Sequence, residues 1–171
     1  MDLENSTKES QTLKVKKATG SESIKSLKDL ALARSRKLHP SLPEYARSIH
    51  NYSDRTANGL TRCILDFLRF SGHQARINST GRYKDNSIVI KDVLGTSRRI
   101  GSGQWIPGAG IKGTADISAT IWGKSVKIEI KMKDLQSDNQ KKYQIEIERA
   151  GGKYWLCRTF DEFIDHYHNM I

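Results

Sequence analysis

The chain has 171 residues and a mass of 19.4 kDa, enough for one domain with a hydrophobic core but short for two. Lysine and arginine number 29 against 19 acidic residues, so the net charge is +10 and a polyanionic partner is expected. No apolar run approaches the roughly 18 residues of a membrane span, the N-terminus lacks the pattern of a signal peptide, and the two cysteines have no metal-ligand spacing. These features argue against a membrane partner, a disulfide framework or a zinc site, and they predict a soluble protein of the cytoplasm.

Residues 1–50 are rich in serine, lysine, threonine and glutamate and show little apolar periodicity. Such a composition predicts a flexible basic arm that is disordered or loosely attached. Residues 26–38 are an exception, because leucines and Ala31 recur near one stripe of a short basic helix, which Pro40 would end. We place the arm at residues 1–50 and a single folded domain at residues 54–171.

A helix is predicted over residues 56–71, because apolar side chains recur there at the spacing of one buried stripe and Gly72 supplies a stop. The opposite face carries an arginine at every seventh position: Arg55, Arg62 and Arg69. A row of arginines suits the phosphates of a nucleic acid, but an ordinary solvated helix face has the same pattern. Both interpretations remain open on the sequence.

Short strands are predicted at residues 75–78 and 87–93, with a turn at residues 79–82 between them. The stretch from residue 92 to residue 113 contains six glycines and is interpreted as a loop. Four basic residues of this region are candidate contacts to nucleic acid: Arg82, Arg98, Arg99 and Lys112. Trp105 could stack on an exposed base, or it could lie in the core beside a flexible connection.

Positive charge is distributed unevenly along the predicted domain. Residues 54–113 carry ten basic and four acidic side chains, whereas residues 114–171 carry nine of each. The first part of the domain therefore suits a polyanion, and the second part keeps enough acidic side chains to gather a cation.

Two alternating stretches, residues 115–121 and 126–132, are typical of the strands of a β-hairpin. Period-two alternation places Glu129 and Lys131 on one face of the second strand, and Asp116 can lie on the same side near the start of the first. Carboxylates this close repel each other unless a divalent cation binds between them, which favours Mg²⁺ or Mn²⁺. A solvated ladder of glutamate and lysine is the alternative, and spacing alone does not separate the two.

The C-terminal part predicts a helix, a strand and a second helix. Ser137 suits an N-cap, Gln140 would complete a capping box, and the helix would run to residue 150, where a glycine pair stops it. Residues 153–158 alternate as a strand, and residues 160–167 are predicted to form a terminal helix.

The order of these motifs resembles the PD-(D/E)xK nuclease superfamily. The motifs are Gly-x-Ala-Asp ending at Asp116, then Glu129-x-Lys131, then Ser137-x-x-Gln140 on a helix that ends in Gly-Gly before a strand. Within the superfamily they look most like the virus-type replication and repair nuclease group, called VRR-NUC. The resemblance covers about residues 56–165, and it is the order of the motifs, each of them common alone, that makes it specific.

The resemblance implies an α/β fold with a mixed central β-sheet flanked by helices, the restriction-endonuclease-like core. It also implies that Asp116 and Glu129 bind Mg²⁺ or Mn²⁺, with the carbonyl of Ile130 as a further ligand. Lys131 would position or activate the water, and Gln140 would support the site from its helix.

Two further positions follow from the resemblance. Tyr143 matches the tyrosine of a Gln-x-x-Tyr element in some relatives and would have a lesser supporting part. Many relatives carry a glutamate on the first core helix, where this chain has Asn58. The amide oxygen of Asn58 could still bind a metal or hold a water, but a neutral group there implies one-metal rather than two-metal hydrolysis.

The resemblance implies a metal-dependent DNA endonuclease that hydrolyses phosphodiester bonds of branched or structured DNA in phage or mobile-element replication, recombination or repair. Members of this size often act as homodimers, and a phage protein would act in the cytoplasm of its host. The missing helix glutamate and the surplus of basic residues also suit a non-catalytic DNA-binding module on the same fold. A structural protein that docks on an acidic partner subunit through its basic arm is a third hypothesis.

Overall fold

The computed structural model describes residues 20–78, 81–108 and 111–170. Across these ranges the chain forms four α-helices: α1 (Gly20–Leu38), α2 (Ala57–Phe70), α3 (Asp138–Arg149) and α4 (Phe160–His168). The same ranges contain eight strands: β1 (Gln74–Ile77), β2 (Gly81–Asp85), β3 (Ile88–Lys91), β4 (Ser97–Ile100), β5 (Gly103–Pro107), β6 (Ile117–Ile121), β7 (Lys124–Ile130) and β8 (Lys153–Cys157). No helix of this described part combines the length and apolar composition that crossing a membrane requires.

A four-stranded mixed sheet forms the centre of the molecule, with the strand order β1-β6-β7-β8. β6 runs antiparallel to β1 and to β7, whereas β7 and β8 are parallel and α3 lies between them in the chain. A parallel pair needs such a crossover, because a tight turn can join only antiparallel strands. The prediction of an α/β fold with a mixed central sheet flanked by helices is confirmed.

The predicted hairpin is formed by β6 and β7, with Ile117 opposite Ile128 in the register. Its turn consists of Trp122 and Gly123, which have positive φ angles of 45° and 77°. Two-residue turns of this kind match the right-handed twist of the flanking strands. Glycine adopts such angles without steric cost, whereas Trp122 is held by packing on Tyr167, with 4.8 Å between the ring centroids.

The central sheet has one apolar face and one polar face. Val126, Ile128 and Ile130 alternate along β7 and are buried in the core, on the side where α2 and α4 pack. Burying side chains of this size contributes about 1.5–3 kcal/mol each to the stability of the fold. Lys127 and Glu129 point to the opposite face, which α3 partly covers.

The N-terminal helix α1 is part of the fold rather than a loose arm. Leu27 is 1% exposed, Ala31 is buried beside it, and α1 contacts both α2 and α4. The expectation of a disordered or loosely attached arm over residues 1–50 therefore needs correction from residue 20 onward. The apolar stripe is visible in the sequence, but periodicity does not reveal which tertiary surface a helix will cover. Residues 1–19 lie outside the described ranges.

The stretch predicted as a loop, residues 92–113, contains strands β4 and β5, whereas β3 lies within the strand predicted at residues 87–93. β2 pairs antiparallel with β5, and β3 pairs antiparallel with β4, in sheets separate from the central one. Within residues 81–107, the paired strands β3 and β4 therefore lie between the paired strands β2 and β5 in the sequence. We name these residues the β-ribbon arm. The turn predicted at residues 79–82 overlaps the start of β2, and residues 79 and 80 are outside the described ranges. Trp105 lies exposed on the arm and not in the core.

Candidate metal and catalytic site

The loop before β6 brings Asp116 close to the N-terminus of α3. Gly113 in this loop has a φ of +88°, a left-handed conformation that favours glycine. A Cβ atom at this position would lie 2.5 Å from the carbonyl carbon of Asn139 in α3, so a larger residue would push the helix away. The glycine of the Gly-x-Ala-Asp motif thus allows the acidic loop and the helix to approach closely.

The side chain of Asp116 is fixed by the end of β7. Its Oδ2 atom accepts a hydrogen bond from the backbone N–H of Ile130 at 2.9 Å. The backbone carbonyl of Asp116 accepts the N–H of Asn78 at 2.8 Å, and Asn78 also donates from Nδ2 to the carbonyl of Ala115 at 2.7 Å. Because both its backbone and its side chain are held, the carboxylate has a defined position beside the residue that follows Glu129.

Glu129 is a buried carboxylate with only 2% of its surface exposed. Its Oε1 atom lies 3.3 Å from Nζ of Lys131 and accepts a hydrogen bond from Nε2 of Gln140. Its Oε2 atom is buried and has no hydrogen-bond partner among the described residues. Burial, followed by the nearby charge of Asp116, raises the pKa of Glu129 to about 7, while Lys131 acts in the opposite direction.

The predicted capping box of α3 is confirmed, and it orients Gln140. The Oε1 atom of Gln140 accepts the backbone N–H of Ser137 at 2.9 Å, while Oγ of Ser137 accepts the N–H of Gln140 at 3.4 Å. Because Oε1 is occupied by the cap, the Nε2 group is left to donate to Glu129. One side chain therefore caps the helix and also holds the buried carboxylate.

The oxygen atoms of this acidic cluster, defined by Asp116, Glu129, Lys131 and Gln140, suit a divalent cation. A buried carboxylate oxygen without a partner is costly, and the neighbouring carboxylate adds repulsion. Mg²⁺ and Mn²⁺ take oxygen ligands, often one or two carboxylates together with waters and phosphate oxygens. In the described ranges no group of three or more His, Cys, Asp or Glu side chains could hold a metal, so the site would rely on two carboxylates.

The structure adds residues to this face of the sheet that were not predicted. Lys127 donates from Nζ to Oγ of Ser118 at 3.1 Å, and Asn78 donates to the same hydroxyl at 2.8 Å. Tyr154 lies opposite Lys127 in the parallel register, and burial, followed by the charge of Glu129, raises its pKa. Tyr154 falls in the strand predicted at residues 153–158, but its place beside Lys127 depends on the pairing of β8 with β7, and nothing in the sequence marks Asn78.

Tyr143, expected to support the site, lies on α3 with its ring centroid 6.4 Å from that of Tyr154. Burial raises the pKa of Tyr143. The edge-on contact between the two rings connects α3 to β8, beside the strand that carries Glu129. Tyr143 therefore reaches the acidic cluster through Tyr154.

The predicted arginine row lies on α2 and is partly engaged by the protein itself. Arg62 donates from Nε to Oδ2 of Asp66 at 2.9 Å. Arg69 donates from Nε and Nη2 to the carbonyl of Ala75 at 3.2 and 3.1 Å. Arg55 is exposed just before the helix. Arg62 and Arg69 are thus held at the surface by hydrogen bonds within the protein. Each guanidinium keeps further N–H groups that could contact a phosphate.

Asn58 lies exposed in the first turn of α2. It lines a concavity of about 480 Å³ together with Arg62 and Arg69. Neither Asp116 nor Glu129 lines that concavity. The structure thus places Asn58 beside the two arginines.

The remaining predicted DNA contacts lie on the β-ribbon arm and on the loop that follows it. Arg98 and Arg99 are exposed on β4, and a guanidinium nitrogen of Arg99 lies 3.9 Å from a carboxylate oxygen of Asp85. Lys112 is exposed in the loop before β6. Arg82 lies in β2, and its side chain is outside the described part of the structure.

The chain has no match among protein-family models, curated proteins or solved structures. A functional assignment therefore depends on the geometry of the chain itself. That geometry brings together four of the predicted site residues in the acidic cluster, while the predicted DNA contacts lie on α2, the β-ribbon arm and the loop that follows it.

Proposed function

We propose that this chain is a metal-dependent DNA endonuclease that hydrolyses phosphodiester bonds with Mg²⁺ or Mn²⁺. The observation that carries the proposal is the buried Glu129, whose Oε2 atom has no partner in the described part of the chain and whose neighbours are Asp116 and Lys131. Proteins seldom bury one carboxylate beside another unless the pair binds something. The motif order that resembles the PD-(D/E)xK nucleases, and among them the VRR-NUC group, supports the same proposal.

Asp116 and Glu129 would hold the cation, with the carbonyl of Ile130 as a further oxygen ligand. When bound, the cation supplies positive charge that stabilises the additional negative charge on a phosphodiester under attack by water. Gln140 keeps Glu129 oriented through its Nε2 hydrogen bond.

Lys131 would direct the attacking water. The Nζ atom of Lys131 lies 3.3 Å from Oε1 of Glu129. The ammonium group has further N–H donors that could bind a water beside the two carboxylates. The water oxygen forms a bond to phosphorus and releases one proton to solvent, while the bond to one ester oxygen breaks and that oxygen takes up a proton from solvent and leaves as the alcohol. Loss of Lys131 should therefore reduce turnover more than DNA affinity, because phosphate contacts are spread over many basic residues.

The charge of the chain supports DNA as the substrate. The net charge is +10, and exposed arginines lie on α2 and on the β-ribbon arm. The resemblance adds branched or structured DNA, of the kind processed in phage or mobile-element replication, recombination or repair. A homodimer would allow both strands of a junction to be cut by two sites at a fixed spacing.

The test is cleavage of branched, flap and linear DNA with Mg²⁺ or Mn²⁺ by the wild type and by Lys131→Ala. We expect Lys131→Ala to lose at least about 100-fold in cleavage rate while it retains DNA affinity. Lys124→Ala is the matched control, because Lys124 is an exposed lysine at the other end of the same strand. Absence of cleavage by the wild type with both metals, or an equal rate in Lys131→Ala, would refute the proposal.

A non-catalytic DNA-binding module is the second candidate, and the neutral side chain of Asn58 favours it. Many members of the superfamily that the motifs resemble carry a glutamate there, whereas Asn58 lines a concavity together with Arg62 and Arg69. Such a module would bind DNA with a steep dependence on salt and would leave every substrate intact with either metal. The cleavage assay therefore separates the two candidates.

A further inference from the structure

Described residues on both sides of the β-ribbon arm, Asn78 before it and Gly113 after it, lie beside the acidic cluster. Ahead of the first strand of the arm, the N–H of Asn78 donates to the carbonyl of Asp116. After its last strand, Gly113 packs against Asn139 at the start of α3. A substrate bound at the acidic cluster would therefore lie at the base of the arm.

The tip of the arm is apolar. It is the connection between β3 and β4, residues 92–96, and within it Val93 is 103% exposed and Leu94 is 88% exposed. Further exposed apolar side chains follow on the paired strands behind the tip: Ile88, Val89, Ile90 and Ile100. Single exposed apolar residues are ordinary, but a group of neighbours on a two-stranded ribbon indicates a surface that binds something.

The backbone of the tip is held by its own hydrogen bonds. Oδ1 of Asp92 accepts the N–H of Leu94 at 3.0 Å and the N–H of Thr96 at 2.9 Å. The N–H of Gly95 donates to the carbonyl of Asp92 at 3.0 Å, and its φ of +82° favours glycine. Val93 and Leu94 are thus presented on a fixed backbone, which lowers the entropic cost of binding.

The charge of the arm indicates which partner it binds. Residues 81–107 carry five basic and two acidic side chains. One acid, Asp85, lies 3.9 Å from Arg99, and the other, Asp92, is used within the tip. Two copies of the arm would repel each other, whereas the phosphates of DNA attract it. A two-stranded ribbon also fits into the major groove of DNA.

We propose that the β-ribbon arm binds DNA next to the acidic cluster and that Val93 and Leu94 insert between bases at a branch. This inference rests on the proposed function, because it takes DNA as the ligand. Apolar side chains separate base steps most easily where pairing or stacking is already lost. Insertion at the tip selects branched over fully paired DNA, while Arg98 and Arg99 contact the neighbouring phosphates.

The test compares the full-length wild type with the double variant Val93→Ser/Leu94→Ser. Each protein is titrated onto a four-way junction and onto a linear duplex, both with 2-aminopurine at the branch or at the matching position. Wild-type binding should raise the 2-aminopurine fluorescence of the junction, and the double variant should lose that rise and about tenfold in junction affinity. Affinity for the linear duplex should change less than about twofold, because phosphate contacts dominate there.

Leu38→Ser serves as the control, because it removes an exposed leucine of α1 and should behave as the wild type. Equal junction affinity and equal fluorescence in the double variant and the wild type would overturn the insertion and leave the nuclease proposal intact. A wild type that binds no DNA would overturn both. If the double variant turns a dimer into a monomer in sedimentation and keeps the fluorescence response, the tip pairs with a second copy and the DNA assignment is wrong.

Discussion

The acidic cluster and the β-ribbon arm are stabilised in different ways. In the cluster, Asp116 and Glu129 are held by hydrogen bonds from β7 and α3, and Glu129 is buried. In the arm, each strand pairs with the opposite strand of the same ribbon, and most of its side chains are exposed. Residues proposed for chemistry are thus fixed by packing in the fold, whereas the residues of the arm proposed to contact DNA are exposed side chains on a hydrogen-bonded ribbon.

The largest expected effect tests this contrast with two isoleucines. Ile128 is fully buried in β7, whereas Ile90 is exposed in β3 of the arm. Ile128→Ala should lower the free energy of unfolding by about 3 kcal/mol, because it removes buried methylene groups and leaves a cavity. Ile90→Ala should lower it by no more than about 0.5 kcal/mol. Urea unfolding measures both values, and equal losses would show that the arm is part of the core.

A second effect follows from the buried carboxylate. The ordinary pKa of Glu129, 4.5, is raised to about 7, so between these values the folded chain keeps a proton that the unfolded chain releases. Without divalent metal, the free energy of unfolding should therefore fall as the pH rises from 4.5 to 7, and above 7 the loss is on the order of 3 kcal/mol.

Urea unfolding in EDTA at pH 5 and pH 8 measures this fall. Glu129→Gln should remove it, because the amide does not ionise. Glu146→Gln, at an exposed position of α3, should keep it and serves as the matched control. If the free energy of unfolding of Glu129→Gln depends on pH in the same way as that of the wild type, the buried carboxylate of Glu129 is not the cause of the pH dependence.

The smallest effect concerns the exposed charge of the arm. Arg98→Ala should reduce the slope of log affinity against log salt by about one unit, since one phosphate contact is lost. Lys37→Ala at the end of α1 should leave the slope unchanged. Fluorescence anisotropy with linear DNA at several salt concentrations gives both slopes. Equal slopes in Arg98→Ala and the wild type would remove Arg98 from the DNA contacts.

Local patterns in the sequence predicted the elements that build the site. The β6–β7 hairpin follows from period-two alternation, and α3 follows from the capping box of Ser137 and Gln140. These signals predict the register well enough to place Glu129 and Lys131 on one face. They do not predict the position of Tyr154 beside the site, because that depends on the pairing of β7 with a strand that follows a helix.

The two misjudged regions have a common physical cause. α1 has a visible apolar stripe, but its burial depends on contacts with α2 and α4, which lie far along the chain. Two strands of the β-ribbon arm, β4 and β5, fall in the stretch expected to be a loop, and β4 lacks the one-sided alternation of a half-buried strand because all four of its residues are exposed. Their backbone hydrogen bonds, rather than a buried face, form the ribbon.

The proposed function requires Asp116 and Glu129 to bind a divalent cation. Calorimetric titration of the full-length protein with Mn²⁺ tests it without any DNA substrate. We expect saturable binding to the wild type, loss of binding in Asp116→Asn, and unchanged binding in Asp138→Asn, whose side chain is exposed at the start of α3. No saturable binding to the wild type, or equal binding in Asp116→Asn, would contradict the account.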